Sequence, residues 1–296
     1  MKAKHVELIA VVAEAGSLGA AALILKKSQP AVSKALQAAE AEIGCQIFQR
    51  SPTGAVPTVE GRRVVARCQS IRRELDLLTE DVAQMQGEVR GTLNLVVSPL
   101  AATRIVPRVL TRYLRRYPEV QVQIIGGHAR AAFQRLRARE ADYVIGPAPE
   151  KGEELGLRSK RLLQTGLTIG TGRGSRYLGE TDPEVLQAAP WLMIGPRNRR
   201  PLYEGYFNRH GLEAPRPRIC SDSILTIMSL LEGSDYLCSF PSELFPDLAS
   251  KWEMAELTLP LNDVEIALAL TAELGRVPTL AALAFEDMVE AVTADM

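Results

Sequence analysis

Residues 61–86 read GRRVVARCQSIRRELDLLTEDVAQMQ, and their apolar positions decide how the chain is organised. Val64, Cys68, Ile71, Leu75, Leu78, Val82 and Met85 follow one another at alternating steps of four and three residues. A seven-residue repeat of this kind under-winds a helix so that a continuous apolar seam faces a partner. The stretch therefore predicts a coiled coil, and with it a homodimer. Its flanking charges change sign: Arg63, Arg67, Arg72 and Arg73 come early, whereas Glu74, Asp76, Glu80 and Asp81 come later. An antiparallel partner sets basic turns against acidic ones. A single long helix lying on its own domain is the alternative that periodicity leaves open. On either view the helix separates two unlike halves.

Outward from this helix, 296 residues leave room for two or three domains, and 46% hydrophobic with 24% charged residues is ordinary for a soluble globular chain. The first residues are interrupted by Glu7 and Glu14, and no later apolar run approaches the roughly 20 residues of a membrane span. A cytoplasmic protein without a membrane partner is expected. Cys45, Cys68, Cys220 and Cys238 form no CxxC pair, which argues against zinc and against a disulfide framework and leaves buried, reduced thiols. His5, His128 and His210 lie far apart, and neither GxSxG nor HExxH occurs, so no metal, cofactor or catalytic residue is predicted. The run 170–175, GTGRGS, lacks the Lys-Ser/Thr of a phosphate loop and reads as a flexible turn.

Before the long helix, three shorter ones are predicted. Val6, Ile9, Ala10 and Ala13 mark one face of the first, which Gly16-Ser17 ends, and an alanine-rich second helix covers 18–25. The third opens with Ser28 as N-cap and Pro30 in its first turn, buries Val32, Leu36, Ala39 and Ile43, and stops at Gly44. Gln29, Pro30, Ser33, Lys34 and Gln37 then fall on another face, short, polar and with one charge. Such a face suits the second helix of a helix–turn–helix, where Gln pairs with adenine and Ser or Lys meets base or phosphate. Two short apolar runs around 51–54 predict a β-hairpin wing, placing Arg50 and Thr53 beside a DNA backbone. A three-helix packing domain with a solvated face is the plainer alternative. Through residue 60 there are six basic residues against five acidic, so one copy would hold phosphate weakly and several must act together.

Residues 22–61, ALILKKSQPAVSKALQAAEAEIGCQIFQRSPTGAVPTVEG, resemble the winged helix–turn–helix of the LysR-type transcriptional regulators in AxxL, SQPAVS, the glutamate of the third helix, IG, F, R and TxxG, in a match that spans residues 3–61. Departures stand at Ile9, Lys34, Ala39 and Pro57. The resemblance implies DNA contacts at Gln29, Pro30, Ser33, Lys34, Gln37, Arg50 and Thr53, a dimerising linker helix, and an effector domain reaching the C-terminus. In this family the assembly is commonly a tetramer, reads an interrupted palindrome in double-stranded promoter DNA, and leaves RNA polymerase open as a further partner.

From Thr92 short apolar runs alternate with helices in two sets, ending in 264–270, VEIALAL, and a helix over 278–292. This alternation predicts mostly parallel sheets covered by helices. Two lobes with two crossovers fit, like a type 2 periplasmic binding protein. The chain is thus expected to be an α+β multi-domain protein. Residues 1–60 are the winged domain, 61–87 the linker and 88–296 the effector domain, with lobe one at about 91–162 plus 268–296 and lobe two at about 163–267. Ligands of open α/β sheets sit outside the carboxyl ends of strands, where free helix N–H groups favour anions. The loops there are 98–101, 126–128, 146–148, 195–198 and 240–241. The resemblance implies effector contacts at Ser98, Leu100, His128, Gly146, Pro147, Pro196 and Arg197 for a small anionic metabolite. The SPLA turn and DYVIGP are similar to regulators of toluenesulfonate, protocatechuate and sugar breakdown. Two rival readings remain: a solute-binding module, or an architectural DNA binder with no effector response.

Overall fold

The computed structural model describes residues 1–51, 54–84, 89–127, 129–150, 155–197, 199–261 and 264–294. It divides into two compact units, residues 1–88 and 89–296. Among the described residues no single helix is long and apolar enough to cross a membrane.

The first unit runs α1 (Ala3–Ala15), α2 (Leu18–Ile24), α3 (Gln29–Ile43), β1 (Phe48–Ser51), β2 (Gly54–Pro57) and α4 (Val59–Gln84). Gly16 ends α1 in the left-handed region at φ 68°, and its N–H donates to Val12; Ser17 then caps α2 by accepting from the Ala20 N–H at 3.1 Å. Ser28 occupies the N-cap position of α3, but its hydroxyl makes no cap bond. Val32, Leu36 and Ala39 enter a core shared with Ile9, Val12, Ala21 and Ile47. β1 and β2 pair antiparallel, with Arg50 opposite Ala55 and Ser51 opposite Gly54.

The helix α4 divides along its length. Cys68 is fully buried, and Val65 with partly buried Val64 packs into the same core, so the early seam positions are covered by the chain's own domain. Arg72 fastens this half to α1 through Glu14 at 2.8 Å. Farther on, Ile71, Leu75, Leu78 and Val82 are 42, 47, 59 and 50% exposed. The uniform seam read from the repeat is therefore corrected: its first part is core and its second an open apolar stripe. Met85 lies outside the described residues.

The second unit holds two five-stranded sheets. In chain order its elements are β3 (Gly91–Val97), α5 (Pro99–Arg104), α6 (Val106–Arg116), β4 (Val120–Gly126), α7 (Ala129–Arg137), β5 (Tyr143–Pro147), β6 (Leu157–Thr165), β7 (Leu167–Gly172), α8 (Pro183–Ala188), β8 (Trp191–Ile194), α9 (Glu204–Arg209), β9 (Ile219–Ser221), α10 (Ile224–Leu231), β10 (Leu237–Pro241), α11 (Phe245–Ala249), β11 (Met254–Leu257), β12 (Ile266–Glu273) and α12 (Leu280–Ala294). The sheet orders are β4-β3-β5-β12-β6 and β11-β7-β10-β8-β9.

Both sheets are mixed, which corrects the mostly parallel expectation. β3, β4 and β5 are mutually parallel, as are β8, β9 and β10, and their carboxyl ends face one cleft. The strands by which the chain crosses between sheets, β7 and β12, enter from that cleft and so run the opposite way. Only Gly166 separates β6 from β7. The two crossings are held by Ser242 N–H donating to Gly166 O at 3.0 Å and Ala148 N–H to Ala267 O at 2.8 Å.

The run 170–175 is corrected in its first half, while Arg173 and Gly174 do form a turn. Gly170, Thr171 and Gly172 lie buried in β7, where a Cβ at 170 would overlap the Phe245 ring and one at 172 would sit 2.6 Å from the Ser234 carbonyl oxygen. These glycines give packing room. Of the four thiols, Cys68 and Cys238 are buried and Cys45 and Cys220 only partly so.

Candidate functional site

Two polar surfaces stand out, one on each unit. On α3 the buried face of Val32, Leu36 and Ala39 turns Gln29, Pro30, Lys34 and Gln37 outward, all exposed, with Ser33 half-buried between them. Their spacing of three and four residues stacks them on adjoining rows of the helix. The five residues predicted from the helix face are thus brought together. Arg50 has its backbone in β1, paired to Ala55, and Thr53 lies outside the described residues.

One residue that sequence reasoning noted without a role fixes this surface. Glu40 Oε1 accepts from the backbone N–H groups of Ile47 and Phe48 at 2.8 and 3.1 Å, tying the start of the wing to α3. Two glycines complete the tie. A Cβ on Gly54 would overlap the Gly16 carbonyl oxygen, and one on Gly61 that of Ile47. Thr58 adds its hydroxyl, which donates to Gln46 O at 2.9 Å and accepts from the Gly61 N–H at 2.8 Å. The wing is therefore positioned by backbone contacts at both ends.

The second surface is a cavity of about 1150 Å³ at the carboxyl ends of the strands. Its lobe-one side includes Gly126, Gly127, Ala132, Arg135 and Glu150. Lobe two contributes Gly195 to Arg197 and Arg199 to Leu202, then Glu204, and Arg218 with Cys220 to Asp222 at the end of β9. Behind that wall, Trp191, Tyr203 and Phe207 pack as rings with centroids 4.0 to 6.0 Å apart. This buried trio anchors the loop that carries Arg197, Arg199 and Arg200, and burial pushes the Tyr203 hydroxyl pKa well up.

Of the seven residues implied for an effector, Pro196 and Arg197 line this cavity. Ser98, Leu100, Gly146 and Pro147 do not. Ser98 is buried, its N–H donates to Ile145 O, and its hydroxyl accepts from the Ala101 N–H at 3.4 Å as the cap of α5. Leu100 is core, and the missing side chain of Gly146 makes room for Ser98, whose Cβ would stand 3.2 Å away. Pro147 pairs with Leu268. His128 lies outside the described residues. What sequence reasoning missed is Arg135, Arg218, Ser221 and Asp222, although the last two follow the same rule of strand carboxyl ends.

Residues 3–62 match the family described as "Bacterial regulatory helix-turn-helix protein, lysR family", and residues 86–294 match the "LysR substrate binding domain". A curated relative, the HTH-type transcriptional regulator GalR of Pseudomonas putida, is 29% identical over 87% of this chain. The match spans 65% of that relative's own length, short of two thirds. TdcA of Escherichia coli is 22% identical over 88% of the chain and 83% of its own length. Among solved structures, CbnR, a LysR family transcriptional regulator, superposes with a TM-score of 0.71 at 21% identity over 99% of both chains. Full-length CbnR complexed with its target DNA gives 0.69 at 22% identity, over 98% of this chain and 99% of that one.

Proposed function

The chain belongs to the LysR-type family of transcriptional regulators, DNA-binding proteins with a substrate-binding domain rather than enzymes, and from that premise we propose how its parts divide the work. Residues 1–60 read promoter DNA, 61–87 join two copies, and 88–296 bind an anionic metabolite between the lobes. The observation that carries the ligand half is the cavity wall, where Arg135, Arg197, Arg199, Arg200 and Arg218 face three carboxylates, Glu150, Glu204 and Asp222. Arginine guanidinium is the side chain best matched to carboxylate, through paired N–H donors.

In this reading α3 enters the major groove. Gln29, Ser33, Lys34 and Gln37 meet base edges or phosphate, while Pro30 sets the entry turn and Arg50 and Thr53 lie along the backbone. Few positive charges per copy make simultaneous binding at two half-sites necessary. The exposed stripe of Ile71, Leu75, Leu78 and Val82 supports an antiparallel homodimer, with a tetramer as its pairing product. Ligand acts by population shift: an anion held by both walls favours the closed cleft and changes how the copies pack on DNA. Pro196 and Arg197 contact it directly, whereas Ser98, Leu100, Gly146 and Pro147 shape the strand ends beside it.

A footprint on the DNA upstream of the chain's own gene, with and without pooled organic acids, tests both halves. Protection of a two-fold symmetric site that shortens or shifts with one pool is the expected result. No protection at low salt overturns the DNA reading, and protection indifferent to every pool overturns the effector reading.

A further inference from the structure

The cavity charge singles out a kind of anion. Arg135 is neutralised by Glu140 at 3.1 Å, and Arg200 faces Glu204 at 3.8 Å. Among the described residues Arg197, Arg199 and Arg218 make no ion pair, and all three stand on the lobe-two wall. Arg199 is held by its own turn, its N–H donating to Pro196 O at 3.1 Å, and Arg218 by its N–H to Trp191 O at 2.7 Å. These backbones are fixed before any ligand arrives. On the lobe-two wall four guanidinium groups, Arg197, Arg199, Arg200 and Arg218, stand against two carboxylates, Glu204 and Asp222, which leaves two positive charges, so one carboxylate leaves that wall half compensated.

The other walls narrow the class further. No aromatic ring is present among the described lining residues, so a flat aromatic acid finds no stacking partner. Ser221 and Asp222 instead present oxygen acceptors, and the glycines 126, 127 and 195 present bare backbone. Acceptors in such a wall are met by donors, which aliphatic hydroxyl groups supply. A volume of about 1150 Å³ accommodates a chain of six carbons with ordered water.

We propose that the cavity takes a hydroxylated aliphatic dicarboxylate, and that Arg197, Arg199 and Arg218 set the preference for two negative charges over one. The proposal rests on reading the cavity as the effector site. It predicts that selectivity lies on lobe two, while lobe one supplies Arg135 and the glycine-lined floor.

The test is calorimetric titration of the purified full chain with matched pairs: glucarate against gluconate and galactarate against galactonate, with benzoate and protocatechuate as aromatic acids. Each diacid should bind at least about tenfold more tightly than its monoacid, as expected for one lost charge-assisted contact. Arg197→Gln or Arg218→Gln should bring that ratio within about threefold, with circular dichroism unchanged. Equal binding within the pairs, or binding of an aromatic acid alone, overturns the proposal. The cavity reading is separated by Gly126→Phe, since a Cβ at 126 meets nothing within 4 Å and the ring would fill the space. Abolished binding of whichever acid binds keeps the cavity as the site; undiminished binding removes it. Silence from all six acids overturns both.

Discussion

The two polar surfaces of this chain rest on scaffolds of opposite kinds. The face proposed to read DNA is one helix of 15 residues, and the wing beside it is pinned by carbonyl oxygens pressed against glycine. The cavity proposed for the ligand is assembled from strand ends far apart in sequence, on sheets pinned by side-chain networks. In lobe one, Arg158 donates to Glu286 at 2.6 Å, Tyr143 donates to the same carboxylate at 2.8 Å, and Arg276 reaches Asp142 at 2.8 Å. The first scaffold is expected to fail through backbone overlap, the second through loss of charge.

The largest expected effect is on the first scaffold. Gly61→Val puts a branched side chain into the Ile47 carbonyl oxygen and should cost the N-terminal unit about 3 kcal/mol or more. DNA binding should vanish in gel shifts while acid titrations on the same protein stay intact; loss of both would break the comparison. Next, Ser33→Ala with Gln37→Ala should remove about 1–3 kcal/mol of discrimination per base pair read, leaving non-specific affinity at low salt unchanged. Retained site preference would take α3 out of the groove.

A smaller effect belongs to the second scaffold. Hydrogen bonds from Arg158 hold the Glu286 carboxyl below the usual carboxylate range, so its contribution is present at neutral pH and lost as pH falls through the lowered folded-state value. Glu286→Gln should cost about 1–3 kcal/mol at pH 7, and the gap from the parent protein should narrow toward pH 3 in urea melts. A gap constant with pH would mean that the network works by packing alone. The smallest effect compares the buried thiols. Burial pushes the Cys68 and Cys238 thiols up, so a thiol reagent at pH 8 should label Cys45 and Cys220 first.

The same contrast governs what the sequence discloses. α3 was legible because its start, buried stripe and stop are contiguous: Pro30, then Val32, Leu36 and Ala39, then Gly44. The cavity was legible only at 126–127 and 195–197, since nothing local says that Arg135 and Arg218 share a wall. β6 escaped notice because Arg158, Lys160 and Arg161 break its apolar pattern, as befits a sheet edge. Gly170 and Gly172 looked like freedom and are close packing, whereas Gly174 does lie in a turn. The heptad of α4 fixed the face but not its cover, because periodicity does not say whether α1 or another chain lies against Cys68.

The position of β12 also sets an order of assembly during synthesis. This strand begins at residue 266, yet it lies between β5 and β6 and, among the described strands, is the sole neighbour of β6. Ribosomes deliver residues at about 5–20 per second, N-terminus first. The DNA-reading unit, with its own core, is therefore complete while lobe one still waits for its inner strand. A transcript cut short anywhere between about residues 90 and 265 yields a chain able to fold its DNA-reading part but unable to close the first wall of its cavity. On the proposed function, such a fragment would compete for the same DNA without hearing the ligand.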